Sequence, residues 1–328
     1  VIPDRCELEL IDRWQHDFPL VPRPFDVAGR PVGLDEAKTI AAFERLRDTG
    51  ALSRIGAVVR PHTVGASTLA AMRVSAGRLE QVAALVSREA FVNHNYERTH
   101  AFNLWFVIAG PDARAVSDTI GRIEMQTGLP VLDLPLLEAF HVDLGFPLSG
   151  GERHRRDAPK ASQDYYCPDA LDRKLLSAIE LGMPIVTHPY RQIACEIGIG
   201  EEDVIHRLRR LAAAGIVTRF GCVVRHRALG YTANAMTVWD VPDARIAEIV
   251  ERFVGNPGVT LCYRRPRRLP DWPYNIFCMV HARTRGEAGN VVDALDAAAG
   301  AIPHDVLYST RCFKQRGAVF SHPTGGVH

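Results

Sequence analysis

The chain predicts an α+β fold made of a tandem repeat, in which a winged helix-turn-helix is followed each time by a ferredoxin-like βαββαβ domain. Three observations predict it. Residues 10–65 align with residues 175–230 at a constant offset of 165 without a gap. Each copy reads as short helices around a glycine turn, ending in a β-rich stretch. After each of these, strand and helix periods alternate in the order β-α-β-β-α-β.

The repeat is carried by residues that shape the backbone. Pro19, Val21 and Pro24 fall on Pro184, Val186 and Pro189. Gly33, Glu36, Ile40 and Leu46 fall on Gly198, Glu201, Ile205 and Leu211. Gly50, Arg54, Gly56, Val58, Val59, Arg60 and Gly65 fall on Gly215, Arg219, Gly221, Val223, Val224, Arg225 and Gly230. In the second copy Leu171, Leu175, Leu176 and Ile179 recur at helical spacing behind the start signals Pro168 and Asp169, and Gly182 closes that helix. A short helix over 192–197, a turn at Gly198 and a helix over 201–214 stopped by Gly215 follow. The alternating stretch 216–225 reads as a wing-like hairpin.

Beyond it, strands are expected at 233–238, 259–265, 275–281 and 305–310, with helices at 243–253 and 287–298. The first copy repeats the order with strands at 69–75, 91–98, 102–108 and 136–142 and helices at 79–89 and 113–127. A stretch rich in Gly, Ser, Pro and charge separates the copies. The domains are therefore expected at 1–60 and 169–226 for the helix-turn-helix units and at 61–146 and 227–321 for the ferredoxin-like ones. A linker at 147–168 and a tail at 322–328 complete the division.

Composition narrows the function. Lys and Arg number 39 and Asp and Glu 38, a net charge of +1 that advertises no nucleic-acid field. No apolar run approaches a membrane span, and residues 1–6 carry no secretory h-region. Seven scattered cysteines without a Cys-x-x-Cys pair argue against a disulfide framework or metal cluster and for a reducing cytoplasm. A winged helix-turn-helix followed by a ferredoxin-like domain resembles the Lrp/AsnC transcription regulators. Yet the third helix opens with Asp35 and Glu36 in one copy and with Glu201, Glu202 and Asp203 in the other, where carboxylates repel phosphates. Pro19, Pro22, Pro24 and Pro31 also disfavour a regular second helix in the first copy. His206, Arg207, Arg209 and Arg210 keep phosphate contact open.

The sharpest chemical signal is the string from Val92 to Phe106. On a strand, His94, Tyr96 and Arg98 share one face. The partner strand starts at Asn103, with Trp105 two residues on. Tyr263, Arg265 and Asn275 match Tyr96, Arg98 and Asn103 in the second copy, but Leu261 replaces His94. A phenol and a guanidinium bind carboxylates, and imidazole trades protons near neutral pH. The second copy instead carries Arg264, Arg265, Arg267 and Arg268 with Trp272 and Tyr274, a set suited to a flat ligand ringed by carboxylates or to single-stranded nucleic acid. The plain alternatives are an exposed cross-strand Tyr-x-Arg pair and a structural histidine.

The stretches 94–106 and 261–281 resemble two subunit types of the siroheme decarboxylase family, Lrp/AsnC-like proteins turned to catalysis, and the chain resembles a fusion of the two. The resemblance implies conversion of siroheme to 12,18-didecarboxysiroheme in heme d1 biosynthesis in denitrifying bacteria, with no cofactor beyond the iron tetrapyrrole substrate. On that reading His94 is the candidate proton donor, Tyr96 its helper and His100 the second choice. Arg98, Arg264, Arg265, Arg267 and Arg268 clamp carboxylates, and Asn103, Trp105, Tyr263, Trp272 and Asn275 complete the substrate site. His94 as axial ligand of the substrate iron stays open beside the acid role. The two halves are expected to pair within the chain, with a homodimer left open and no DNA or membrane partner. A DNA-binding regulator with a small effector and a non-catalytic tetrapyrrole carrier or sensor are the competing readings.

Overall fold

The computed structural model describes residues 3–60, 63, 65–142, 145, 148 and 166–317, so nearly all of the expected linker and the whole expected tail lie outside the described residues. The first copy runs α1 (Arg5–Arg13), α2 (Pro24–Gly29), α3 (Glu36–Asp48), β1 (Leu52–Val59), β2 (Ala66–Met72), α4 (Leu79–Arg88), β3 (Val92–Arg98), β4 (Leu104–Gly110), α5 (Ala113–Thr127), β5 (Leu132–Pro135) and β6 (Glu138–Val142). The second runs α6 (Ala170–Ala178), α7 (Pro189–Ile197), α8 (Glu201–Ala213), β7 (Val217–Val224), β8 (Ala233–Trp239), α9 (Ile246–Val254), β9 (Val259–Arg264), β10 (Ile276–Ala282), α10 (Arg285–Ala299) and β11 (His304–Gln315). Like modules gather with like. One compact unit holds residues 1–64 and 145–230, the two helix-turn-helix modules, and the other holds 65–144 and 231–328, the two ferredoxin-like ones.

In the helix-turn-helix unit the copies start alike. Asp4 and Asp169, 165 residues apart, each cap a helix with a reciprocal capping box to Glu7 and Asp172. The matched glycines Gly33 and Gly198 both sit at positive φ, 73° and 80°, ending the second helical segment in a conformation that a side chain would strain. The prolines of the first copy do shorten its second helix. Pro24 occupies the first turn of a six-residue α2, and a 3₁₀ turn over Arg30–Val32 replaces the rest.

The expected wing hairpins are not formed. Each copy supplies one strand, and β1 pairs antiparallel with β7, with Gly56 opposite Gly221. The reason is local: Gly221 does not adopt positive φ, and nothing within β7 reverses the chain, so it finds its partner in the other copy.

The acids that open α3 and α8 hold the preceding helix. Arg23 donates through Nε to Glu36 at 3.1 Å, and Arg191 and His188 face Glu201 at 3.3 and 3.7 Å. The cations of α8 are engaged as well. Arg207 meets buried Asp172 at 2.7 Å, Arg210 meets it at 3.2 Å, and Arg209 donates to the Leu20 carbonyl at 2.7 Å.

Among the described residues the ferredoxin-like unit is one nine-stranded sheet in the order β5-β2-β4-β3-β11-β8-β10-β9-β6. Its halves exchange strands. β11, twelve residues long, pairs first with β8 of its own half and then with β3 of the other. In the first half the matching last strand is broken after Pro135: β5 pairs with β2, and β6 with β9. The strand expected over 136–142 is β6, which pairs with the other half, while β5, just before that range, was not expected. Helices α4 and α5 cover one half of the outer sheet face, through Val82, Val86, Phe106 and Ile123, and α9 and α10 cover the other, through Ile249, Phe253, Ile276 and Leu295. The inner faces meet in a single cluster of Ala71, Trp105, Leu134, Met236, Val238, Trp272, Phe277 and Leu307, drawn from both halves. Pairing of the two halves within one chain is therefore part of this unit's core.

Candidate functional site

On β3 a bulge between Val92 and His94 resets the pleat. Asn95 then points under α4, its carboxamide donating to the Ala83 carbonyl and Ser87 Oγ, both at 3.0 Å. His94, Tyr96 and Arg98 alternate with it and take the inner face. The rings of His94 and Tyr96 lie nearly parallel, centroids 6.1 Å apart, and the Arg98 guanidinium stands 5.8 Å from the Tyr96 ring centre. His94 is half-buried and Arg98 is buried. The exposed cross-strand pair is ruled out at this position.

Arg98 reaches across the halves. Its Nη1 donates to the Leu307 carbonyl at 3.0 Å and to Asn234 Oδ1 at 3.2 Å. Arg265, its repeat mate, donates through Nη1 to the Leu134 carbonyl at 2.5 Å and lies 5.5 Å from the Tyr263 ring centre. Leu307 belongs to β11, which runs on to pair with β3, and Leu134 to β5, which pairs with β2, so each arginine ties down a strand of the other half. In both arginines Nε is buried with no hydrogen-bond acceptor among the described residues. Burial pulls the Arg265 pKa down to about 10, still charged at neutral pH, and pushes the Tyr263 phenol up to about 12 against the opposing field of Arg265.

Trp272, fully buried, packs 5.2 Å from Trp105, 5.0 Å from Tyr274 and 5.5 Å from His100. Trp105 is itself core, 1% exposed, with its indole N–H donating to the Phe102 carbonyl at 2.6 Å. It supports the aromatic cluster and is no open site wall.

Other expected site residues are occupied inside the fold. Asn103 accepts from the Val74 amide at 2.9 Å and donates to its carbonyl at 2.8 Å. Asn275 does the same with Val241, both bonds at 2.9 Å. Both carboxamides are therefore backbone pins that hold a strand end, which corrects the expectation of substrate contact. Arg267 is a second correction: Nε donates to Asp240 at 2.8 Å, Nη1 to Asp243 at 3.2 Å and Nη2 to the Val241 carbonyl at 2.7 Å. Arg264 faces Asp243 at 3.6 Å, and exposed Arg268 donates to the Asp133 carbonyl at 2.9 Å. His100 is a third correction. Its Nδ1 accepts from the Phe102 amide at 2.9 Å, and Nε2 faces Asp305 at 3.3 Å. Burial lowers its pKa, with Asp305 opposing, and neither ring nitrogen is left for a substrate. Among the described residues no three His, Cys, Asp or Glu side chains converge on a metal site, and no helix is long and apolar enough to cross a membrane.

The profile of the siroheme decarboxylase NirDL-like HTH domain matches residues 7–52 and 172–217, and that of the AsnC-like ligand binding domain matches 64–141 and 228–314. The siroheme decarboxylase NirDL subunit of Paracoccus denitrificans is 47% identical over 323 residues, 97% of this chain and 98% of that protein. The chain belongs to the siroheme decarboxylase NirDL family. A crystal structure of the siroheme decarboxylase NirDL matches at 29% identity with a TM-score of 0.69, covering 96% of this chain and 94% of that one. A second, in co-complex with an iron-uroporphyrin III analogue, matches at 28% identity and 0.68, covering 96% and 95%.

Within the family frame, sequence reasoning overlooked three inner-face residues of the second half. Asn234 Nδ2 lies 2.8 Å from His281 Nε2, and His281 Nδ1 lies 2.8 Å from Thr260 Oγ1. The signal was present in the repeat. Position for position, the first half carries Ser67, Ala109 and Asn93 there.

Proposed function

We propose that this chain is a carboxy-lyase acting on siroheme. It removes the carboxyls of the acetate side chains at C12 and C18 as carbon dioxide and yields 12,18-didecarboxysiroheme for heme d1 biosynthesis in the cytoplasm. The observation that carries this reading is kinship along nearly the whole chain to a siroheme decarboxylase, joined to a half-buried imidazole in line with a phenol and a guanidinium. Each event breaks one bond between the methylene and its carboxylate. The electron pair stays on carbon and spreads into the conjugated macrocycle, which is part of the substrate, so no further cofactor is called for. A proton must then reach that carbon to make the methyl.

His94 is assigned the proton delivery and Tyr96 the support of its ring. Arg98 meets a carboxylate, its guanidinium oriented by the bonds that Nη1 gives to the fold. Arg265, short of one acceptor, takes a second, with Tyr263 and Trp272 beside it and Arg264 and Arg268 outside. Leu261 in place of a second imidazole makes one chemical site per chain, with the two acetates processed in turn. The helix-turn-helix unit has given up DNA, since the acids and arginines of its third helix are used internally.

Anaerobic incubation with siroheme followed by mass spectrometry tests the reading. Loss of two carbon dioxide units is expected. An unchanged ligand with a shifted spectrum would make the chain a carrier, and retarded genomic fragments at stated salt would make it a regulator. His94→Ala should bind siroheme with an unaltered spectrum yet release carbon dioxide at least 100-fold more slowly, about the least an acid contributes. A changed visible spectrum would instead make His94 the iron's axial ligand, and normal turnover would remove it from the chemistry.

A further inference from the structure

Asn234, His281 and Thr260 form a row of hydrogen bonds whose direction is fixed throughout. A guanidinium only donates, so Asn234 Oδ1 is the atom that accepts from Arg98 Nη1, and Asn234 Nδ2 is the atom beside His281. An amide nitrogen only donates as well, so His281 Nε2 accepts. The imidazole is then neutral with its proton on Nδ1, which it gives to Thr260 Oγ1. Thr260 passes its own hydroxyl hydrogen to the Met279 carbonyl at 3.0 Å. The row begins at Arg98 in one half and runs through β8, β10 and β9 of the other.

The pseudo-equivalent place has nothing comparable. Ser67 and Ala109 stand where Asn234 and His281 would be, and an alanine methyl accepts no hydrogen bond. Arg265 meets the Leu134 carbonyl there, as Arg98 meets that of Leu307, and Nε of both arginines has no acceptor among the described residues. The row serves only the arginine that stands in line with His94.

We infer that Asn234 and His281 are positioning residues. They fix the plane of the Arg98 guanidinium through Nη1, so that it meets a tetrapyrrole carboxylate in a set orientation, and they do so only while His281 Nε2 accepts. This deepens the siroheme reading and rests on it. Removing the row costs one charge-assisted hydrogen bond's worth of orientation, about tenfold in affinity.

The test titrates siroheme anaerobically into the parent chain, Asn234→Leu, His281→Leu and His281→Gln, each confirmed folded by circular dichroism. The leucine variants should bind about tenfold more weakly, with turnover at saturating siroheme changed less than about threefold. Glutamine, whose amide oxygen can accept in place of Nε2, should recover most of the affinity. Unchanged affinity in Asn234→Leu overturns the inference, as does a glutamine variant no better than the leucine one. Nitrogen-15 spectra of labelled histidine give a readout independent of siroheme. His281 should show a protonated Nδ1 and bare Nε2 in the parent, and an Nε2-protonated ring would refute the row. If the parent fails to bind siroheme while those spectra agree, the proposed function fails and the row stands.

Discussion

Replacing Asn275 with alanine should weaken the fold and leave the chemistry untouched. Two hydrogen bonds to Val241 disappear, at about 1 kcal/mol each. The Val241 carbonyl still receives Arg267 Nη2 at 2.7 Å, so only the Val241 amide loses its partner. That amide lies in a fully buried residue, and leaving it without an acceptor adds about 1 kcal/mol or more. The sum is about 3 kcal/mol. Asn103→Ala removes the matching pair of bonds to Val74, but Asn103 is half-exposed, so water replaces part of what is lost and the cost is about 1 kcal/mol. Urea unfolding followed by circular dichroism measures both. Siroheme affinity and product formed per folded molecule should match the parent in each case. An unmoved urea midpoint combined with lost siroheme binding would refute the reasoning and return Asn275 to the substrate.

Two further outcomes follow from the helix-turn-helix unit. An alanine Cβ at Gly221 would sit 2.4 Å from the Gln15 carbonyl oxygen, whereas at Gly56 it meets nothing nearer than 3.4 Å. Gly221→Ala should therefore cost about 3 kcal/mol and Gly56→Ala less than about 1, and equal thermal shifts would show that the ribbon is not packed this way. Arg207, with help from the Asp172 amide, holds the Asp169 carboxyl down to about 2, below its unfolded value near 3.8. Its contribution is complete above about pH 4 and is lost as pH falls through about 2, so Asp169→Asn should flatten the dependence of melting temperature on pH in that window. A parent-like acid arm would remove the ion pair from the account.

Element types and the repeat were legible because they are written in periodicity and in glycines whose conformation a side chain would strain. What misled was pairing. Nothing in β7 says that its partner is β1, and nothing near Pro135 says that the strand continues on the other half, since both facts depend on residues far away in sequence. The line of His94, Tyr96 and Arg98 on one inner face was readable from alternation. The roles of Asn103, Asn275, Arg267 and His100 were not, because a side chain suited to bind substrate is equally suited to bind backbone, and only the fold shows which acceptor is near. Asn234 and His281 were within reach, since the two copies differ at those positions much as they do at His94 and Leu261.

The exchange of strands between the halves has an evolutionary corollary. In an assembly of two identical subunits, any mutation arises in both and symmetry is kept. Here the interlocking partners are encoded in tandem on one polypeptide, so a histidine gained on one side need not appear on the other. A catalytic face and a supporting face can then drift apart under separate selection while remaining bound in a fixed ratio.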